Sequence, residues 1–107
     1  MDGDRERRAL NEAAFREVNE RIAEAGEAFD IEEIALVCEC SRASCAERLQ
    51  LEVHGYERVR SQPELFVLVP GHEQLDLEVV VEQRDGYVIV RKRGDAAEVS
   101  RQTDPRG

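Results

Sequence analysis

The central stretch of the chain, residues 34–53, reads IALVCECSRASCAERLQLEV and contains the strongest indications of the fold. Its two ends alternate with a period of two, so each end is predicted to be a strand with one buried face. Between these strands lie all the cysteines of the chain: Cys38, Cys40 and Cys45. The pattern therefore predicts two strands joined by a thiol-rich turn, in which Ser44 and Glu47 have the spacing of a capping box and indicate one helical turn.

Two helices are predicted outside this stretch. An amphipathic helix is expected from residue 4 to about residue 25, with Gly26 placed to end it. Its apolar residues recur every three or four positions, which favours packing of this stripe on the sheet of the same domain. The members of the stripe are Leu10, Ala14, Phe15, Val18, Ile22 and Ala25. A short helix over residues 55–62 is expected to bury Tyr56 and Val59, and residues 95–99 could add one more helical turn.

Three further strands are predicted in the second half. Residues 65–69 are apolar on both faces, as expected of a central strand. Residues 75–81 alternate and are followed by residues 87–91, and the Asp85-Gly86 pair between them is a strong hairpin signal. The apolar face of the first of these two strands comprises Leu75, Leu77, Val79 and Val81. The order predicts an α+β fold with an N-terminal amphipathic helix and one short helix packed on a largely antiparallel sheet of about five strands.

Length and charge limit the possible functions. The chain has 107 residues with 15 basic and 24 acidic side chains, a formal net charge of −9. Such an acidic domain repels a phosphate backbone, so no nucleic-acid partner is expected. No apolar run approaches the roughly 20 residues of a membrane span, so we expect no membrane contact and a cytoplasmic location. Residues 1–102 are expected to form a single domain and residues 103–107 a frayed tail.

The cysteine spacing C-x-C-x4-C predicts a zinc site. Zinc takes about four sulfur or nitrogen ligands at tetrahedral corners, and Cys38 and Cys40 at the end of a strand point to one side. The turn can then bring Cys45 back towards them. The fourth ligand is His72 or His54, and we favour His72 because Gly71 permits the sharp backbone path of a ligand-bearing loop.

Glu73 is the expected hydrogen-bond partner of the free imidazole nitrogen, with Asp76 as an alternative. Simpler explanations of the cysteines remain open. Buried cysteines often serve as small apolar residues, and a disulfide would leave one of the three thiols unpaired. Their clustering within eight residues favours the metal site.

Several segments resemble a group of short, uncharacterised proteins from actinobacteria and other high-GC bacteria, over nearly the whole chain. The segments are Phe15–Ile22, Cys38–Cys40, Cys45–Arg48, Tyr56–Arg60, Pro70–Glu73 and Asp104–Arg106. The resemblance implies no established activity, but it favours His72 over His54. The cysteine spacing alone is also similar to the post-SET zinc cluster of histone methyltransferases, from which only the ligand geometry carries over.

These observations together predict a zinc-stabilised domain that acts through protein contacts rather than catalysis. The predicted contact surface is Phe15, Val18 and Ile22 on the first helix, for a protein partner or a homodimer. One alternative is a redox sensor in which oxidation of the thiols ejects zinc. A second is a small zinc hydrolase with an open water position, and a third is a regulator whose acidic first helix binds a basic partner.

Overall fold

A computed structural model describes residues 3–42 and 44–106, and the side chains of residues 4–6 lie outside that description. It confirms the α+β class, with three helices and five strands. The elements are α1 (Gly3–Ala28), β1 (Glu33–Val37), β2 (Arg48–Glu52), α2 (Val53–Arg60), β3 (Leu65–Leu68), β4 (Glu78–Arg84), β5 (Tyr87–Lys92) and α3 (Gly94–Gln102). In the described part of the chain, no helix combines the length and the apolar character that crossing a membrane requires.

The prediction that α1 ends at Gly26 is wrong, because the helix continues past it. The amide of Ile31 donates to the carbonyl of Gly26 at 2.8 Å, and the amide of Asp30 donates to the carbonyl of Glu27 at 3.2 Å. These two bonds and the left-handed φ of +57° at Asp30 form a Schellman ending. The stop signal is therefore an aspartate four residues beyond the glycine.

Gly26 is instead a point of close packing inside α1. A Cβ atom at this position would lie 2.9 Å from Cγ2 of Ile34 and 3.2 Å from Cγ2 of Val53. Only a residue without a side chain lets the helix approach the two-stranded sheet this closely.

The predicted orientation of the α1 stripe is also wrong. Leu10 is 59% exposed and Val18 is 45% exposed, so this part of the stripe faces solvent, whereas Phe15 and Ile22 are half-buried. The buried face of the helix is mostly polar and comprises Glu12, Arg16, Asn19, Glu20, Ala23 and Gly26. Periodicity placed the apolar residues on one face correctly, but the polar face has specific partners in the interior.

Phe66 on β3 lies at the centre of this polar interior. The Arg16 guanidinium lies 4.4 Å from the centre of the Phe66 ring, and the Lys92 ammonium lies 5.0 Å from it. Lys92 also forms buried ion pairs with Glu12 of α1 and Glu78 of β4. Cations that are paired in this way can be buried without the full cost of losing water.

The five strands form two antiparallel sheets. β1 pairs with β2, and β5 lies between β3 and β4 in the second sheet. Residues 65–69 were predicted to be a central strand, but β3 lies at an edge of its sheet. Its four side chains are nevertheless all buried, because other elements cover both of its faces.

The predicted inner face of β4 is wrong. Val79 and Val81 are exposed, whereas Glu78 is buried beside Lys92, and Leu75 is exposed before the strand begins. Glu78 and Val80 face inwards instead, because Lys92 pairs with Glu78 and Val80 packs against the core cluster that contains Phe66. The hairpin itself is confirmed, with Gly86 at a φ of +87°.

Residues 103–106 differ from the expected frayed tail. Asp104 forms an ion pair with Arg60, and Arg106 contacts Glu20 at 2.9 Å and Glu57 at 2.9 Å. Burial alone would lower the pKa of Arg60, but the hydrogen bonds to Glu20 and Asp104 raise it overall. These contacts join the end of the chain to α1 and α2.

Candidate metal centre

Cys38 and Cys40 lie just beyond β1, where the backbone also contacts β3 of the other sheet. The amide of Cys38 still donates to the carbonyl of Glu47 at 3.1 Å, which extends the β1–β2 ladder. The amide of Glu39 then donates to the carbonyl of Val67 on β3 at 2.9 Å. The extended backbone directs the two cysteine side chains to one side and the Glu39 side chain to the other.

Cys45 is brought to the same place by the turn between β1 and β2. Its amide donates to the carbonyl of Arg42 at 3.0 Å. The helical turn predicted for residues 44–47 does not form, so no helix N-terminus supports the Cys45 thiolate. Ala43 lies outside the described residues.

His72 comes from the loop after β3. The amide of His72 donates to the carbonyl of Val69 at 3.1 Å, and Gly71 has the positive φ of +92° that this turn requires. Nδ1 of His72 lies 3.6 Å from Sγ of Cys38 and 3.7 Å from Sγ of Cys45. His54, the alternative, lies exposed at the start of α2.

The four predicted ligands converge in the way a metal site requires. One ligand atom from each of Cys38, Cys40, Cys45 and His72 lies within 4.8 Å of the other three. Sulfur and nitrogen atoms bound tetrahedrally to one zinc ion would be about 3.5–3.6 Å apart, given usual bond lengths of about 2.3 Å to sulfur and about 2.0–2.1 Å to nitrogen. The observed distances from Nδ1 to the two sulfurs match this value, so this group could hold a metal ion.

The imidazole is oriented by Glu47 and not by Glu73. Nε2 of His72 lies 2.7 Å from Oε2 of Glu47. Glu73 instead accepts a hydrogen bond from the amide of Gly71 at 2.8 Å, which stabilises the loop. The prediction of Glu73 as the partner of His72 is therefore wrong. A proton on Nε2 leaves Nδ1 with its lone pair directed at the thiols.

Backbone amides stabilise the sulfur atoms. The amide of Val69 donates to Sγ of Cys38 at 3.2 Å, and the amide of Arg42 donates to Cys40. Hydrogen bonding from Cys38 lowers the pKa of Cys40 to about 4, and the same bond raises the pKa of Cys38. Burial raises the pKa of Cys45. The cluster thus shares its protons unequally and favours a thiolate at Cys40.

Glu39 anchors the segment that carries Cys38 and Cys40 to the interior of the protein. Its carboxylate is fully buried and accepts hydrogen bonds from Asn19 of α1 at 2.8 Å and from the Tyr56 hydroxyl of α2 at 2.7 Å. The amide of Val67 on β3 donates to its other oxygen at 3.1 Å. Burial raises the pKa of Glu39, whereas these three donors lower it. Three elements therefore fix the residue between Cys38 and Cys40.

Asn19 makes a second pair of contacts with the same region. Its amide group donates to the carbonyl of Val37 and accepts from the amide of Val37, both at 2.8 Å. Sequence analysis missed Asn19, Glu39 and Glu47 as contributors to the site. The sequence did contain an indication for Glu39: it lies between two cysteines, so in an extended backbone its side chain points away from the metal ligands and into the protein.

The predicted partner-binding residues lie on the other side of α1 from this network. Val18 is exposed, whereas Phe15 and Ile22 are half-buried. Ile22 packs against a core cluster that contains Ile34 and Leu36. Only part of the predicted surface is therefore accessible.

Comparison with known proteins identifies no relative. No family model matches the chain, and no curated protein and no solved structure is significantly similar to it.

Proposed function

We propose that the protein is a structural zinc-binding domain without catalytic activity that acts through protein contacts. The observation that carries the proposal is the convergence of three thiols and one imidazole within 4.8 Å. Thiolate and imidazole ligands suit zinc, whereas calcium and magnesium prefer oxygen. Reduced cysteines of this kind fit a reducing compartment such as the cytoplasm.

A structural role is supported by the number of protein ligands. Catalytic zinc sites keep one coordination position for water, whereas four protein ligands complete the tetrahedron. Three thiolates and one neutral imidazole leave a bound Zn²⁺ site with a net charge of −1. The backbone amides of Val69 and Arg42, which donate to the sulfur atoms of Cys38 and Cys40, stabilise this charge.

The metal would join parts of the chain that are distant in sequence. The turn carrying Cys38–Cys45 and the loop carrying His72 belong to different sheets. Zinc bound to small structural sites contributes about 10–16 kcal/mol, whereas a whole domain is stable by only about 5–15 kcal/mol. Folding of this domain is therefore expected to depend on the metal.

Metal analysis of the purified protein tests this proposal. We expect one zinc per chain, and Cys40→Ser should lower both zinc content and melting temperature. His72→Ala should weaken zinc binding, whereas His54→Ala is the matched control because that imidazole is exposed on α2. A protein that binds no zinc and melts at the same temperature with a chelator would refute the structural role.

The same variants test the hydrolase alternative. An enzyme would keep zinc in His72→Ala, with three cysteine ligands and a metal-bound water. Zinc loss from this variant, together with a native site that lacks a bound water, supports the structural role.

We also propose that the outer face of α1 binds a second copy of this chain in an antiparallel arrangement. This face carries Leu10 and Val18, flanked by half-buried Phe15 and Ile22. Exposed apolar residues in a row are typical of contact surfaces.

Charge favours the antiparallel arrangement. Arg7 and Glu24 are both exposed and lie about 26 Å apart along the helix, near opposite ends of the outer face. A two-fold axis across the face brings each beside the other in the second copy.

Sedimentation over a range of concentrations tests this interface. Val18→Glu, Arg7→Glu and Glu24→Arg should each weaken the dimer, and the double variant Arg7→Glu/Glu24→Arg should restore it. A monomer at all concentrations, or a dimer that the charge reversals do not affect, would contradict the proposal.

A further inference from the structure

The three thiols of the candidate metal centre differ in their access to solvent. Cys38 and Cys40 are each 1% exposed, whereas Cys45 is partly exposed. Its neighbours Ser44, Ala46 and Glu47 are all exposed. A small reagent in solution therefore reaches the Cys45 sulfur first.

The backbone is also held more firmly at Cys38 and Cys40 than at Cys45. Cys38 is fixed by the β1–β2 ladder and by the amide of Val69. Cys40 directly follows Glu39, which three elements hold. Residues 44–47 belong to no helix or strand, and the hydrogen bond from the Cys45 amide to the carbonyl of Arg42 stays within the turn, so the backbone at Cys45 is less constrained than the backbone at Cys38.

We propose that Cys45 is a site of oxidative modification by hydroperoxides, and that its oxidation closes a disulfide with Cys40 and releases the metal. The inference rests on the proposed metal site and adds the chemistry that regulates it. Cys40 is the partner because it is the nearer of the two other cysteines along the chain, and its sulfur belongs to the same cluster as the sulfur of Cys45.

The reaction balances with hydrogen peroxide as the oxidant. The Cys45 thiolate attacks one peroxide oxygen, the O–O bond breaks, and the products are a sulfenic acid and hydroxide. The Cys40 thiolate then attacks the Cys45 sulfur, which forms the S–S bond and expels a second hydroxide. Two sulfurs lose one electron each, and the peroxide gains two.

Metal release follows from the number of ligands lost. A disulfide between Cys40 and Cys45 removes two of the three thiolates and leaves Cys38 and His72. Two ligands do not hold zinc in a structural site. The thiol–disulfide state would therefore control whether the metal joins the turn carrying the cysteines to the loop carrying His72.

Mass spectrometry of the zinc-loaded protein tests the site directly. After limited peroxide treatment and alkylation, cleavage at arginine separates Cys45 from the other two cysteines after Arg42. Cleavage at glutamate separates Cys38 from Cys40 after Glu39. We expect a peptide pair linked through Cys40 and Cys45 that appears at the same rate as free zinc, and that reductant reverses. A first disulfide between Cys38 and Cys40, or zinc release without oxidation of Cys45, would overturn the inference.

A pair of variants measures the kinetic role of Cys45. Cys45→His keeps four zinc ligands but removes the accessible thiol, so peroxide should release its zinc at least tenfold more slowly. Cys38→His is the matched control, because it keeps both Cys40 and Cys45 and should release zinc at a rate close to the unmodified chain. Equal rates in Cys45→His and the unmodified chain would refute the role of Cys45.

Zinc content before treatment separates this inference from the proposed function. A chain that purifies without zinc and does not bind it refutes the metal site. A chain that holds one zinc and keeps it in peroxide supports the structural site and refutes only the oxidation. The mass-spectrometric measurement needs no variant and remains decisive if either histidine variant misfolds.

Discussion

Replacing Tyr56 by Phe should destabilise the protein by removing one hydrogen bond while leaving the ring in place. The Tyr56 hydroxyl donates to Oε2 of Glu39 at 2.7 Å, and both side chains are fully buried. A hydrogen bond to a charged group contributes about 1.5–3 kcal/mol, and water is excluded from this position. We expect the free energy of unfolding to fall by about 2 kcal/mol.

The loss should depend on pH. The Tyr56 hydrogen bond is one of the interactions that lower the pKa of Glu39, so the variant has a higher pKa at this carboxyl. An acid whose folded pKa lies above its unfolded value binds more protons in the folded state. The free energy of unfolding therefore falls as the pH rises from the pKa of the unfolded state to the higher pKa of the folded state. We expect the variant to lose more stability at pH 8 than at pH 5.

Urea unfolding of the zinc-loaded protein, followed by circular dichroism, measures this effect. Tyr87→Phe is the matched control, because Tyr87 is only half-buried, and a change within about 0.5 kcal/mol is expected. A double-mutant cycle with Glu39→Gln should give a coupling energy of about 1 kcal/mol or more. A loss below about 0.5 kcal/mol in Tyr56→Phe, or additive effects in the cycle, would refute the role of Glu39 as an anchor.

Three further changes test separate parts of the structure. Glu47→Gln should weaken zinc affinity by about 10–100-fold because Glu47 orients His72, whereas Glu73→Gln should leave the affinity unchanged in a competition titration. Lys92→Met should lower the free energy of unfolding in urea by about 3–5 kcal/mol, because it removes the partner of two buried glutamates. The loss should be smaller at low pH, where these glutamates are protonated, and a loss that does not depend on pH would contradict this reasoning. Gly26→Ala should lower the melting temperature despite the better helix propensity of alanine, because the added methyl group contacts Ile34; a rise would show that the packing relaxes.

Local patterns predicted most of the elements because they depend on neighbouring residues. Alternation in residues 34–53 placed β1 and β2, and Asp85-Gly86 placed the β4–β5 hairpin. The ligand set was predictable because cysteines are rare in the chain and the alternatives for the fourth ligand were two histidines. The distance between His72 and the thiols confirms that these residues come together.

The wrong predictions concern charged side chains that are buried because a residue distant in sequence pairs with them. Glu12 and Glu20 look like solvent-exposed helix positions in the sequence, but Lys92 and Arg60 pair with them in the interior. Nothing near these glutamates in the sequence indicates that pairing. The inner face of β4 was misassigned for the same reason, since the ion pair with Lys92 buries Glu78 on the face that the alternation assigned to solvent.

The C-E-C tripeptide explains why the metal site and the polar interior form one unit. Strand-like alternation directs Cys38 and Cys40 to the ligand cluster and Glu39 to the opposite side, so neither set of contacts can form without positioning the other. Glu39 holds the backbone in place through α1, α2 and β3, and the thiols join that backbone to the loop of His72. Weakening the Glu39 contacts should therefore reduce metal affinity although no ligand changes. Metal loss should in turn increase hydrogen exchange at the amide of Val67, which donates to Glu39.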